Sequence, residues 1–240
     1  MHKKVILVTG ASRGIGREIA KTLAEERNYV IANYYKSEAK AVELQKELKE
    51  LGYKIDIFKC DVSKREEVKS MIDFVIKKYG RIDVLVNNAG IDQVKLFTDI
   101  TDDDWNRIMQ NNLYSVFCCT QEAIKHMLHE KSGCVINISS IFGRIGGACE
   151  VHYSTSKAAI DGMTKALAKE FGLSNIRVNS IAPGIIDTDM NQDLDYDEIK
   201  KEIPLGKIGK TADIAKCVKW LIEDEYTTGQ VIEINGGWNM

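Results

Sequence analysis

Proline is nearly absent: Pro183 and Pro204 are the only two in 240 residues. There is also no low-complexity tract and no linker or shift in composition, so nothing divides the chain into separate domains. Cysteine is sparse and scattered (60, 118, 119, 134, 149, 217) with no C-x-x-C spacing. At this length a disulfide framework is not expected, and a reduced cytosolic setting fits better. Long apolar runs are missing; the run at 5–8 is far too short to cross a bilayer, which argues against a membrane protein. Met1-His2-Lys3-Lys4 leads into that run, but Thr9-Gly10 follows where a small-residue cleavage site would stand, so no signal peptide is expected. No excess of either charge is present, with 33 basic residues against 35 acidic ones. Without a basic field, binding to nucleic acid or to an anionic membrane surface is not expected.

What the chain does have is 44% apolar residues spread throughout, which excludes disorder, and 18 glycines in clusters. Short β-branched runs at 5–8, 29–33, 54–59, 84–87, 134–138, 177–182 and 231–234 predict strands. Several are continuously apolar, as in strands buried on both faces of a parallel sheet. Helical periods fill the gaps at 14–26, 38–51, 64–79, 102–129, 154–171, 195–203 and 211–221. In the second of these, Ala41, Leu44, Leu48 and Leu51 recur at helical spacing, while the charge run at 46–50 reads as a solvated face. Ser63 with Glu66 reads as a capping box opening the third. Strict alternation predicts one α/β domain spanning 1–240: a doubly wound parallel sheet of about seven strands with helices on both faces.

Between the first strand and first helix lies Thr9-Gly10-Ala11-Ser12-Arg13-Gly14-Ile15-Gly16. Glycines there allow a tight turn, close backbone approach to a pyrophosphate, and close helix–sheet packing. The N–H groups at the helix start attract the anion. Further motifs follow in order. Asp61-Val62 ends the third strand region, and Asn87-Asn88-Ala89-Gly90 ends the fourth. Asn111-Asn112 falls in the long helical segment, Ser139-Ser140 follows the fifth strand, and Tyr153 and Lys157 lie one helical turn apart. Pro183-Gly184-Ile185-Ile186-Asp187-Thr188 follows the sixth strand. Alone, Tyr153 and Lys157 would suit an ordinary helix surface, Ser139-Ser140 a turn, and Asn111-Asn112 a helix irregularity.

Together, the T-G-x3-G-x-G spacing and this ordered set resemble the short-chain dehydrogenase/reductase family over essentially the full chain, which implies a Rossmann-like fold. Ketone reduction needs an acid to meet the developing charge on oxygen. A lysine on the same helix face favours the phenolate of Tyr153, so Tyr153 can serve as that acid, and Ser140 can steady the oxygen. The resemblance implies that Lys157 also bonds the nicotinamide ribose and that Asn112 anchors a water leading from Lys157 to solvent. It also implies that Asp61 bonds the adenine amino group, that Asn88, Ala89 and Gly90 line the adenosine ribose, and that Pro183, Gly184, Ile186 and Thr188 close over the nicotinamide. Metal ligation is not expected: His126 and His129 stand without a third ligand at suitable spacing. His152 either lines the substrate pocket or packs. Cys118-Cys119, Trp105, Trp220 and Trp238 read as packing residues.

Cofactor choice is set at the end of the second strand. Counting from Gly16 places the selecting position at Tyr34, within Asn33-Tyr34-Tyr35-Lys36-Ser37, where no carboxylate occurs. With Lys36, Ser37 and Arg13 nearby, NADP(H) is expected over NAD(H). By its length, its Thr9–Gly16 loop and its ending Thr228-Gly229-Gln230-Val231…Asn235-Gly236-Gly237, the chain most resembles, within the family, the bacterial 3-oxoacyl-[acyl-carrier-protein] reductases. This likeness implies NADPH-dependent reduction of 3-oxoacyl to 3-hydroxyacyl thioesters in fatty acid biosynthesis, by a cytoplasmic homotetramer joined through the helix at 154–171 and the C-terminal segment. Residues 91–97 depart from that group, and Ser174-Asn175 stands where an arginine docks the carrier, leaving Lys131 and Arg177 as substitutes. Aspartates 187, 189, 193 and 195 in the substrate loop (about 187–205) should repel an acidic carrier. The alternatives are reduction of a 5-aminopentanone group on elongation factor P, or of a small ketone or polyol. A nucleotide-binding regulator without catalysis is a third, disfavoured because Tyr153, Lys157, Ser140 and Asn112 are all present.

Overall fold

The computed structural model describes residues 3–192 and 194–240. Among them, β1 (Val5–Val8), α1 (Gly14–Glu25), β2 (Tyr29–Tyr34), α2 (Glu38–Glu50), β3 (Lys54–Lys59), α3 (Arg65–Tyr79) and β4 (Val84–Asn87) make the first half. The second half comprises α4 (Asp102–Met109), α5 (Ser115–Glu130), β5 (Gly133–Ile138), α6 (Phe142–Ile145), α7 (Val151–Phe171), β6 (Ile176–Pro183), α8 (Tyr196–Glu202), α9 (Thr211–Glu223) and β7 (Val231–Ile234). The strands form one sheet of order β3-β2-β1-β4-β5-β6-β7. All pairings are parallel; Val8 on β1, for example, stands opposite Ala32 of β2 and Val86 of β4. Ile19, Leu23, Leu44, Leu48 and Leu221 pack one face, while Met71, Ile72, Val75, Ala123 and Met127 pack the other. Burial on both faces is why the strands read as unbroken apolar runs.

The chain order reverses between β1 and β4, and a crevice opens there at the carboxyl ends of the strands. Eight glycines (10, 14, 16, 90, 143, 146, 147, 184) follow those strand ends. Two local expectations fail. The segment at 102–129 is not one helix: a π-turn at Gln110–Tyr114 separates α4 from α5, a distortion found where a helix must aim a side chain into a site. The capping box at Ser63 and Glu66 does not form; the N-cap is Lys64, without a side-chain bond. Ser63 instead donates to Asp61 at 2.6 Å, and Glu67 accepts from the Asp61 N–H at 2.8 Å. An Asx turn at Asp61 outcompetes the cap.

Candidate active site

The glycine loop is held from two sides. Asn33, at the end of β2, accepts from the Gly10 N–H (3.1 Å) and donates to the Cys60 carbonyl (3.0 Å). Asn88 donates to the carbonyls of Thr9 (3.0 Å) and Gly10 (3.1 Å), while the Thr9 hydroxyl accepts from the N–H groups of Asn88 and Ala89. Gly10 (φ +63°) and Gly14 (φ +53°) use left-handed backbone. The N-cap of α1, Arg13, makes no side-chain bond, and no acidic residue stands in its first turn. That leaves helix-start N–H groups for an anion, which is the fit a dinucleotide pyrophosphate requires.

From this loop a cleft of about 730 Å³ runs across the strand ends. Gly10, Ser12, Arg13, Gly14, Ile15, Gly16, Asn33, Lys36, Ser37, Asp61, Val62, Asn88, Ala89, Gly90, Pro183, Gly184, Ile186 and Thr188 line it, as do Ser140, Tyr153 and Lys157. Tyr34 does not. It is the last residue of β2 and is buried, whereas Tyr35 lines the cleft. Strand alternation turns Asn33 and Tyr35 to the cleft side and Tyr34 away, so the tyrosine that reaches the cleft with Lys36 and Arg13 is Tyr35.

Ser140, Tyr153 and Lys157 come together at the inner end. The Ser140 hydroxyl lies beside the Tyr153 phenol in the cleft, where it favours the phenolate, and accepts from the Phe142 N–H at 3.2 Å. The Lys157 ammonium sits 5.6 Å from the Tyr153 ring centroid and donates to the Ile138 carbonyl at 2.9 Å. Gly143 lets α6 press onto α7; a Cβ there would lie 2.8 Å from the Lys157 carbonyl carbon. Burial draws the Lys157 ammonium down to about 8, against the opposing pull of Asp161 and Asp92. The expected lowering of Tyr153 does not appear. Desolvation pushes the phenol well above its usual range, Asp92 and Glu150 add to this, and Ser140 opposes it. The free site therefore holds Tyr153 protonated, the form that reduction consumes.

Asn112 is fully buried on the π-turn and does not line the cleft; Asn111 does. Asn112 accepts from the Ile91 N–H at 2.8 Å and donates to the Ile91 carbonyl at 2.9 Å and to Ser156 at 3.2 Å. Gly90 lies between it and the lysine: a Cβ there would be 3.3 Å from Asn112 Oδ1 and 3.5 Å from Lys157 Nζ.

Among the cleft residues outside the predicted site set are Tyr35, Asp92, Glu150 and Trp238. Trp238 reaches the cleft by packing edge-on against Phe142 at 6.0 Å. Burial and the neighbouring Asp92 raise Glu150 to about 7, and its buried Oε2 has no partner among the described residues. Cys149, with φ +62°, sets the turn that delivers Glu150, and its carbonyl accepts from the Lys95 N–H at 2.7 Å. The departure of residues 91–97 from the expected stretch pointed to Asp92, and nothing in the sequence marked Glu150. His152 is buried off the cleft, 3.1 Å from Gln93, so it packs. Arg177 is not free for a carrier; it donates to the Leu221 and Ile222 carbonyls at the end of α9. The aspartates of the substrate loop are also less free than their count suggests. Asp189 pairs with Lys40 (2.8 Å) and Arg13 (3.8 Å), and Asp195 caps α8. Asp193 lies outside the described residues.

The family profile described as short chain dehydrogenase matches residues 4–199. The 3-oxoacyl-[acyl-carrier-protein] reductase FabG of Staphylococcus aureus is 42% identical over 243 residues, covering 99% of this chain and 98% of its own. The same-named protein of Staphylococcus epidermidis is 42% identical, covering 99% of both chains. That of Thermotoga maritima is 41% identical, over 99% of this chain and 98% of its own.

Proposed function

The chain belongs to the short chain dehydrogenase family, and on that basis we propose that it reduces the ketone of a 3-oxoacyl group carried on acyl carrier protein, using NADPH. The observation that carries this reading is the convergence of Ser140, Tyr153 and Lys157 at the floor of a cleft that begins at the glycine loop. The loop N–H groups and the start of α1 would hold the pyrophosphate, Asp61 the adenine side, and Lys157 the nicotinamide ribose. When bound, the cofactor supplies the hydride. Ser140 hydrogen-bonds the ketone oxygen, Tyr153 gives it a proton, and Lys157 steadies the phenolate and resupplies the proton. Asn112, through Ile91 and Gly90, keeps the wall beside Lys157 in place. Val94, Met190, Leu194 and Ile199 line the cleft and suit an acyl chain. The cytoplasmic, homotetrameric state belongs to the same reading; exposed Val151, Leu173 and Met240 around α7 and the C-terminus support association there.

NADPH oxidation should depend on acetoacetyl-CoA, a soluble 3-oxoacyl thioester; no turnover of any 3-oxoacyl thioester would sink the proposed substrate. A second reading, a ketone bearing an amine such as a 5-aminopentanone group, is favoured by Asp92 and Glu150 in the cleft. In that case the amine-bearing ketone would be turned over and the thioester would not. Arg13 and Lys36 at the cleft wall favour a 2′-phosphate. Arg13→Ala should raise the KM for NADPH roughly tenfold, the worth of one charge-assisted bond, and leave that for NADH unchanged. Equal effects on both cofactors would refute the assignment.

A further inference from the structure

The reaction as described makes no use of Asp161, a buried acid four residues beyond Lys157 on α7, at 3% exposure. Residues so spaced lie on one helix face, with Cβ atoms about 5–6 Å apart. The Asp161 carboxyl accepts from the Ser180 hydroxyl of β6 at 2.8 Å. The nearby Ser139 hydroxyl also acts on it, while donating to the Lys157 carbonyl at 3.1 Å. Its other oxygen, Oδ2, is buried without a hydrogen-bond partner among the described residues. A half-satisfied carboxyl in the interior is costly unless a charge nearby compensates it.

Lys157 presents the complementary problem. It is 4% exposed, and the Ile138 carbonyl is the acceptor its ammonium finds among the described residues. Three N–H donors with one acceptor leave the charge poorly solvated, and the interior lets a carboxylate one turn away act on it across several ångströms.

We propose that Asp161 is a positioning residue whose buried carboxylate keeps Lys157 in the ammonium form that resupplies Tyr153. This rests on the reading above, in which Lys157 serves Tyr153. The charged and polar groups around the pair come from α7 itself, the loop after β4, α6, the loop after β5, and β6. Asp92, from the loop after β4, also faces Lys157, and Tyr153 shares its helix. Arg144 of α6 and Lys165 of α7 face Asp161, with hydroxyls from Ser139 after β5 and Ser180 on β6. Of the two carboxylates acting on Lys157, Asp161 is the stronger. Burial raises Asp161 itself, and the two hydroxyls with Arg144 and Lys165 pull against that rise.

The test is Asp161→Asn, which keeps the shape and removes the charge. Two quantities are followed: the Nζ titration of Lys157 by 15N NMR in ligand-free protein labelled with 15N-lysine, and kcat/KM against pH. In the wild type, burial should place the midpoint at about 8. In the variant, midpoint and alkaline limb should both fall by about one pH unit, with activity at pH 6 close to wild type. If both stay in place, the proposal is overturned, whether activity is unchanged or is lowered equally at every pH as a packing defect would do. Should Asp161→Asn fail to fold, Ser180→Ala removes one donor to the carboxylate and should give a smaller shift in the same direction; no shift overturns the proposal as well. Lys157→Met separates the two failures. An active Lys157→Met enzyme refutes the role of Lys157, whereas an inactive one beside an unmoved limb refutes only the role of Asp161.

Discussion

Tyr153→Phe should lower kcat by 10²- to 10⁴-fold, about 3–5 kcal/mol of transition-state stabilisation. The change removes one hydroxyl and little else. The phenyl ring keeps its place on α7, with the Lys157 ammonium near its face at 5.6 Å, so folding and cofactor affinity should stay close to wild type. What disappears is the proton that Tyr153 would give the ketone oxygen. Ser140 cannot replace it, because a serine hydroxyl bonds the ketone oxygen but is far too weak an acid to protonate it at neutral pH. Full activity in this variant would refute the mechanism. The same chemistry sets the pH dependence of the wild type. Burial lowers Lys157 to about 8, so the ammonium is present below that pH and lost above it. kcat/KM should therefore fall on an alkaline limb near 8, and a profile flat to pH 10 would show that Lys157 does not carry the proton.

Gly16→Ala should abolish tight cofactor binding and destabilise the fold together. A Cβ on Gly16 would stand 2.5 Å from the Gly10 carbonyl oxygen and closer still to Asn88 Nδ2. Neither neighbour can yield cheaply. The Gly10 oxygen is backbone in a left-handed turn, and Asn88 Nδ2 is committed to the carbonyls of Thr9 and Gly10. Relief requires α1 to withdraw from the loop, which displaces the N–H groups that would face the pyrophosphate. Overpacking of this kind costs about 1–3 kcal/mol, at roughly 2–4 °C in Tm per kcal/mol for a domain of this size. Differential scanning calorimetry and NADPH titration check both parts. A variant with wild-type Tm and affinity would show that the loop has slack that the packing does not reveal.

The strands and the glycine loop were legible because each depends on local chemistry that repeats along the chain. Apolar runs at period-independent burial mark a parallel sheet, and the order of Gly10, Asn88, Ser140, Tyr153 and Lys157 marks the strand ends. Tyr34 and Tyr35 show where such reading stops. Counting from Gly16 reaches the correct turn, but which of two adjacent tyrosines faces the cleft depends on the pleat of β2 against β3, a fact of pairing register. The π-turn under Asn112 carries no sequence signature, since any helix-forming run can widen by one residue when the surrounding packing demands it.

The sequence by itself determined the α/β class, the strand ends that bear the cleft, and most of the candidate residues that meet there. These follow from local propensity and from motif order along one chain. Only the tertiary structure decided how those residues are charged and what surrounds them. Asp92 stands 61 residues before Tyr153 in the chain, yet it acts on both Tyr153 and Lys157. Proton affinity depends on burial and on neighbours brought in from distant segments, so it is a property of the folded cleft and cannot be read along the chain.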